Sequence, residues 1–549
     1  MSKWGRDTLI TIDPVSLEVI RNGLTSIAEE MSMVVMRAAR SPLLREAGDH
    51  SSALTDAKGF LVAQGQDVPV HLGVLSFTVR EFLARVPAER MQSGDVWIVN
   101  LPAVGGNHLP DVKLIRPIFA DGALYAFAVS LAHWADVGGA MPGSYFADAR
   151  DAWQEGMRIP PTRLVAHDEM DAEKLGLILA NVRGEDERRG DILAQIAATT
   201  VAARRLDELA LKHGVAWLCA AFDAIHDRAE RQMREAIRTI PNGIYSGEDF
   251  MDDDGHGGAS VPIRVTVTID DETATFDFRE SADAVPGPIN TTPFIAGAAV
   301  FYVMKALYGP DIQPSGGCYR PLRVITRPGS ILDPGADRPV VGGNHETCQR
   351  VADAIFHAMA PFAIEKMSAG GPTTAGLLIF SARKPEGGWS TFYEVHSGGE
   401  GARIDRDGMA ATRVHLANVM NTPAEVIEAE YPITVEFQRI RRNSGGNGRH
   451  RGGEGIERGY RMRASEVALT TMFERAVVPP YGLAGGSPGK TFGAILKRAD
   501  GSEERLRGKQ NIQIASGDLV VVESCGGGGY GAPPTESGAI TGVDQKDGA

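Results

Sequence analysis

The sequence predicts an α+β, multidomain protein: mixed β-sheets with helical insertions and a β-rich C-terminal half. Three observations carry that prediction. The 549 residues exceed what one compact core accommodates. Apolar residues recur at helical spacing in residues 14–40 and 150–240, but gather into short strand-like runs elsewhere. The 64 glycines cluster in short motifs without a fixed period, which marks many turns and excludes a repeat architecture.

Taken in order, Asp13-Pro14 supplies an N-cap and a proline at the first helical position. Leu17, Ile20, Leu24, Ile27, Met31, Val34 and Val35 then keep helical spacing to about Arg40. Ser52–Thr55 and Phe60–Ala63 are strands joined by a turn at Asp56–Gly59. Asp49 stands at the entrance of the first and His71 beyond the second. An amphipathic helix is expected from Val74 to Val86. VWIV, VKLIRPIF and LYAFAVSLAH, within 95–133, are three more strands. Gln154–Pro161 is too rich in Gly and Pro to be helical. Helices follow over 190–214, ended by Gly214, and over 215–240. From Gly243 the chain turns β-rich, with a hairpin around Asp270-Asp271-Glu272, helices over 295–309 and 346–362, and short strands up to Tyr530. The division expected is a metal-site α+β domain over 1–240, holding the helical segment 150–240; a β-rich α+β domain over 241–533; and a polar tail, 534–549, expected to be disordered.

Composition excludes several classes. A formal net charge of −14 argues against nucleic acid or an anionic membrane as partner. No window approaches ~18 consecutive apolar residues, so no membrane span is expected. The N-terminus lacks the apolar core of a signal peptide. Four cysteines lie far apart without a C-x-x-C pair, which fits a reducing cytoplasm.

The chemistry concentrates in 95–143. His108-x-x-Asp111 holds Pro110 and so lies in a turn, where imidazole and carboxylate can converge. His133 ends an apolar run and offers a second imidazole; Asp49 is a further carboxylate, and Asp136 a residue that can orient a ligand histidine. Such donors hold Mn, Fe or Zn with positions open to water. The alternative is a set of hydrogen-bonded loop residues on a sheet. Ala484–Thr491 approaches a P-loop, but the residues after it form a hairpin rather than a helix, which rejects a nucleotide site. Asp252–Gly257 lacks EF-hand spacing. Cys525 has no base beside it, and no G-x-S-x-G elbow exists. The Gly526–Gly529 run either permits close backbone approach, bordering a ligand or subunit, or is a flexible strand end.

With these residues in view, the chain resembles the hydantoinase B family, which includes B subunits of ATP-dependent hydantoinases and lactamases, the corresponding half of 5-oxoprolinase, and the alpha subunit of acetone carboxylase. The matching motifs are Asp49-x-Ser51, Pro69-Val-His71-Leu-Gly73, Gly106-x-His108-x-x-Asp111, Ala132-His133-x-x-Asp136-Val-Gly-Gly139 and Gln154–Pro161. Gly287-Pro-x-Asn290, Gly343-Asn344, Asn421-Thr-Pro423, Ser444–Gly453 and the final GGGGYG continue them. His50 and Asn107 depart from the family pattern without removing a ligand.

The resemblance implies that Asp49, His108, Asp111 and His133 bind a catalytic divalent metal, Mn or Zn. It implies that ATP and its Mg sit in a hydantoinase A-type partner within a hetero-tetramer or larger complex. The activity implied is ring opening of a hydantoin, 5-oxoproline or lactam. The partner phosphorylates the carbonyl oxygen and metal-activated water attacks here, with His71 or Asp136 relaying the proton. ATP-dependent carboxylation of a ketone is the alternative activity, and a scaffold subunit without metal the non-enzymatic one.

Overall fold

The computed structural model describes residues 10–385 and 387–534; the greater part of the tail expected to be disordered lies outside them. The Asp13 carboxylate accepts hydrogen bonds from the Val15 and Ser16 amides and caps α1 (Pro14–Ala38), as its sequence predicts. Its buried stripe, Leu17 to Val35, lies on a seven-stranded sheet together with a later helix. A single turn, α2 (Pro42–Arg45), leads into that sheet. Its strands are β1 (His50–Asp56), β2 (Leu61–Gln64), β3 (Val96–Val99), β4 (Asp111–Ala120), β5 (Ala123–His133), β6 (Thr162–Ala166) and β7 (Glu169–Met170). The order is β2-β1-β5-β4-β3-β6-β7, antiparallel throughout. Leu54, Ile98, Leu114 and Ala128 face one apolar cluster; Ala53, Trp97, Ile115 and Phe127 face another. Helices cover both faces, so β3, β4 and β5 appear in sequence as unbroken apolar runs rather than alternating ones.

One face is covered by α3 (Pro69–Leu83), which starts five residues before the expected Val74 and so takes in His71. Pro69 presets the first turn. Gly73 is there because α7 (Pro293–Tyr308) passes so close that an added Cβ would meet the Ala298 Cβ at 2.5 Å. The other face carries α1 and α5 (Glu185–His213), preceded by α4 (Ala172–Ala180) and followed by α6 (Val215–Ile237). The expected start of α5 at Gly190 is corrected to Glu185. Gly190 sits inside the helix, where the Arg40 side chain leaves no room for a Cβ.

A four-stranded sheet follows: β8 (Gly243–Met251), β9 (Val261–Asp270), β10 (Thr273–Asp277) and β11 (Leu322–Ile325), ordered β11-β10-β9-β8. Burial alternates along β9 because only one face is covered, by α8 (Cys348–Ala363). The apolar cluster around α7 and α8 also takes in Val70, Val74, Ala135 and Tyr145. The remaining elements are β12 (Leu377–Arg383), β13 (Trp389–Glu394), α9 (Ala424–Glu430), β14 (Ile433–Arg441), β15 (Gly455–Met462), β16 (Val467–Met472), β17 (Gly493–Lys497), β18 (Glu503–Arg505), β19 (Lys509–Ile514) and β20 (Leu519–Glu523). They form sheets β13-β12-β16-β19 and β14-β15-β20-β17-β18 around Phe380, Tyr460, Leu469 and Val520. The β17–β18 hairpin is the one the sequence places after Ala484–Thr491.

Gly526–Gly529 is not a flexible end; it makes the close backbone approach that its sequence permits. It threads between three other backbone segments. The Gly527 amide donates to the Gly453 carbonyl, the Gly528 amide to Gly370, and the Gly529 amide to Ser487. A Cβ on Gly527 would collide with the Glu400 carbonyl and one on Gly528 with the Tyr481 carbonyl. Neither has a positive φ; space alone requires glycine. Gly527→Ala is therefore expected to lose more than about 3 kcal/mol of stability or to fail to fold. Gly501→Ala, at φ +90° in an open hairpin turn, should lose about 1–2 kcal/mol. Urea denaturation of both variants tests this, and equal losses would refute it.

Candidate metal centre

Strand register builds the site. Asp111 opens β4 directly opposite His133, which closes β5, and His50 of β1 pairs with Ala132. Asp49, one residue before β1, thereby comes beside His133, whose amide donates to the Asp49 carbonyl at 3.0 Å. The Trp134 amide donates to the Pro110 carbonyl at 2.9 Å and fixes the His108–Asp111 turn against the end of β5. The first turn of α3 adds His71. The π-helical turn Gly343–Thr347, at the head of α8, adds Asn344.

His108 Nε2 lies 3.1 Å from both His133 Nδ1 and Asp111 Oδ1, and His133 Nδ1 lies 3.0 Å from the same oxygen. His71 Nε2 is 3.5 Å from Asp111 Oδ2 and 3.8 Å from Asp49 Oδ1. Asn344 Nδ2 is 3.2 Å from His108 Nε2 and 3.4 Å from Asp111 Oδ2. The structure thus brings together Asp49, His71, His108, Asp111 and His133, all buried.

Asp136 is not with them. Its carboxylate accepts from the Gly138, Gly143 and Arg183 amides and from the Arg183 guanidinium, at 2.7–3.0 Å, and clamps the loop after β5. That loop carries Tyr145, whose hydroxyl approaches His108 Nδ1 at 3.4 Å and accepts from the Tyr393 hydroxyl at 2.8 Å.

The hydrogen-bond network sets the tautomers. His108 Nδ1 faces the Val341 carbonyl at 2.9 Å, which only accepts, so Nδ1 carries the proton and Nε2 presents a lone pair to the cluster. The Ser51 hydroxyl donates to the His50 carbonyl and must accept from His71 Nδ1 at 3.4 Å, which turns the His71 Nε2 lone pair toward the carboxylates. Burial lowers both imidazoles below their ordinary value, so both are neutral at pH 7. Any proton that reaches the cluster resides on an imidazole and not on Asp111: burial would raise its carboxyl, but a proton on His108 or His71 outweighs burial and holds it well below the usual carboxylate range. For His133, burial is outweighed by Asp49 and Asp111, which raise its imidazole.

Acceptor atoms therefore face acceptor atoms, and only the Asn344 amide and a His133 proton stand against them. His133 Nε2 and Asn344 Oδ1 are buried without any partner. The His108 and His133 imidazoles and the Asp111 carboxylate, with ligand atoms within 4.8 Å of one another, are a donor set that fits a divalent ion such as Mn or Zn.

Above the cluster is a cavity of about 50 Å³ bordered by His345, Gln349, Tyr393 and Arg413. A larger cavity of about 320 Å³ lies behind the His108 turn, bordered by Leu109 and Val340, and holds no such donor cluster among the described residues. Sequence reasoning missed Tyr145, Asn344, His345, Tyr393 and Arg413 as site residues, and only the Gly343-Asn344 motif pointed toward one of them. The two departures from the family pattern, His50 and Asn107, are buried with their side-chain polar atoms unpartnered.

The hydantoinase B/oxoprolinase family model matches residues 13–533. The chain is 30% identical to caprolactamase subunit beta of Pseudomonas jessenii over 98% of this chain and 94% of that one. It is 32% identical to 5-oxoprolinase 1 of Arabidopsis thaliana over 95% of its own length but spans only 42% of that relative. The crystal structure of ATP-dependent caprolactamase from Pseudomonas jessenii superposes with a TM-score of 0.89 at 28% identity, covering 96% of this chain and 93% of that one. A nucleotide-free acetone carboxylase structure superposes with a TM-score of 0.86 at 18% identity over 95% and 76%, and shares the fold.

Purified protein is expected to carry one divalent ion per chain by plasma mass spectrometry. His108→Ala and Asp111→Asn should each lower occupancy at least tenfold after dialysis against a weak chelator. Asp136→Ala should keep the ion while losing at least about 2 kcal/mol of stability. Full occupancy in Asp111→Asn would refute the assignment.

Proposed function

The chain belongs to the hydantoinase B/oxoprolinase family, and from that premise we propose that it is the metal-dependent ring-opening subunit of an ATP-dependent cyclic amidase, working with a separate ATP-binding subunit of the hydantoinase A type. The observation that carries this reading is the buried His71, His108, Asp111, His133 and Asp49 cluster beneath a small polar cavity. Among the described residues no phosphate-cradling loop leads into a helix: Ala484–Thr491 runs into the β17–β18 hairpin.

An amide carbonyl is a poor electrophile because nitrogen donates into it. Phosphorylation of its oxygen in the partner removes that protection. His108, Asp111 and His133, with Asp49 beside them, would hold a divalent ion, which would supply the Lewis acidity that makes water nucleophilic near neutral pH.

The protein's own groups do the rest. Asp111 stays ionised and balances positive charge. The Val341 carbonyl and the Tyr145–Tyr393 pair fix the His108 ring, so its Nε2 always faces the cluster. Of the two residues expected to relay the proton, His71 is at the cluster and Asp136 is not, so the relay falls to His71 Nε2, with Asp49 at 3.8 Å to stabilise the imidazolium.

The balance requires two waters. The first adds to the activated carbon, the ring C–N bond breaks and nitrogen takes a proton. The second water hydrolyses the acyl phosphate left behind, giving the ring-opened acid, ADP and phosphate.

With the partner co-expressed, a cyclic amide from a panel of hydantoin, 5-oxoproline and lactams should be opened with about one ATP consumed per ring and no need for bicarbonate. This chain alone should open none. His71→Gln should lower kcat at least ~10²-fold with metal retained. Turnover only of a ketone with bicarbonate would overturn the amidase reading in favour of carboxylation.

A further inference from the structure

One charged group in the cavity is unused by this mechanism. Arg413 lies in the irregular stretch between β13 and α9 and borders the same cavity as Asp49, His108, His133, Gln349 and Tyr393. The stretch is tied down on both sides of it. The Thr412 amide donates to the Gly398 carbonyl at 2.7 Å, His415 Nε2 pairs with Asp353 at 3.2 Å, and the Leu416 carbonyl accepts from the Val70 amide at 3.3 Å. The guanidinium is therefore presented from a fixed backbone.

Arg413 has no hydrogen-bond or ion-pair partner among the described residues, and its Nη2 is fully enclosed and unsatisfied. The two nearby glutamates are already engaged. Glu394 accepts from Asn421 and the Thr422 amide and pairs with Arg458 at 3.5 Å. Glu346 takes the Ala375 amide and His345, and burial pushes its carboxyl up to about 8. A guanidinium cannot shed its charge at pH 7: burial lowers Arg413 only to about 10. Arg413 is half-buried, and its enclosed Nη2 lacks an acceptor, which is costly unless a ligand supplies one; the planar fork of arginine matches the two oxygens of a carboxylate or phosphoryl group.

We propose that Arg413 receives an oxyanion group carried by the cyclic-amide substrate, and so selects for rings that bear one when they reach this cavity. The inference rests on the amidase reading for the identity of the ring, but not for the anion. The oxyanion has two sources: a carboxylate on the ring itself, or the phosphoryl group added by the partner.

The test uses the complete complex with its partner, as wild type, Arg413→Gln and Arg413→Lys. Inorganic phosphate and 5-oxoproline are titrated by calorimetry at fixed ionic strength, and turnover is compared for 5-oxoproline and pyrrolidinone, the same ring without a carboxylate. Wild type should bind at least one of the two anions, Arg413→Gln at least tenfold more weakly, and Arg413→Lys in between. If the ring carboxylate is the source, the kcat/KM ratio of 5-oxoproline over pyrrolidinone falls at least tenfold in Arg413→Gln. If the phosphoryl group is the source, kcat falls alike for both rings and phosphate binding weakens. Undiminished anion binding and turnover in Arg413→Gln would overturn the proposal. So would wild type that binds neither anion. A wild-type complex that turns over no amide, yet binds phosphate through Arg413, would remove the amidase reading and leave the anion receiver standing.

Discussion

The rest of the structure depends on one constraint, the Asp111 carboxylate ionised and wholly buried at the head of β4. A lone carboxylate in that position carries a large desolvation penalty, so it persists only where positive charge or donors surround it. Its neighbours arrive from four parts of the chain: the strand paired with it, the turn before it, the first turn of α3 and the head of α8. The two neutral imidazoles turn lone pairs inward because their outer nitrogens are committed to Val341 and Ser51. The site is thus a preformed acceptor cage, which is how a cation site differs from an ordinary buried hydrogen-bond network.

The second half of the chain makes that cage rigid. Asp249 of β8 and Asp353 of α8 are shared between Arg350 and Arg475, all four buried, with Arg350 also bonded to the Thr373 carbonyl. This network fastens α8 to the sheet beneath it and to the segment after β16, and α8 carries Asn344 and His345 at its head. The glycine thread has the same effect at longer range. Cys525–Gly529 locks the loops at 399–402, 444–453 and 481–489 by backbone hydrogen bonds that no side chain could fit between. The first of these loops adjoins the Gly398 carbonyl that anchors Thr412, so the placement of Arg413 depends on a motif more than a hundred residues away in sequence.

What the sequence disclosed follows the range of the interaction that fixes each feature. The Asp13-Pro14 cap, the β1–β2 and β9–β10 hairpins and the end of α5 at Gly214 are set by neighbours within a few residues, and they lie where local chemistry places them. The starts of α3 and α5 do not: each helix begins five residues earlier than expected, and Gly73 and Gly190 are points inside them where another segment presses close. His108, Asp111 and His133 were legible because a turn and two strand ends concentrate them in one stretch. Asp136, three residues beyond His133, was misleading for the same reason: proximity in sequence carried it into the candidate site, while its backbone turns it toward Arg183. Tyr145, Tyr393 and Arg413 reach the cluster only through tertiary packing, and nothing local marks them; Asn344 was signalled only by the Gly343-Asn344 motif.

The charge balance in the cavity bears on the order of events. On the proposed reading, with water rather than hydroxide at the ion, Asp49 and Asp111 would balance a divalent ion and Arg413 would leave one positive charge over. A neutral lactam offers nothing to balance it, and binding one would bury an unpaired cation. A phosphorylated lactam, or one bearing a carboxylate, supplies the missing charge. Such a cavity discriminates by what it leaves unpaired, favouring a molecule after activation over the same molecule before it. That preference has a chemical use. Water made nucleophilic beside ATP would hydrolyse ATP itself. On the proposed division of labour, housing the water-activating groups in this chain, in a cavity of about 50 Å³, would keep the two reactions apart until the phosphoryl group has reached the substrate.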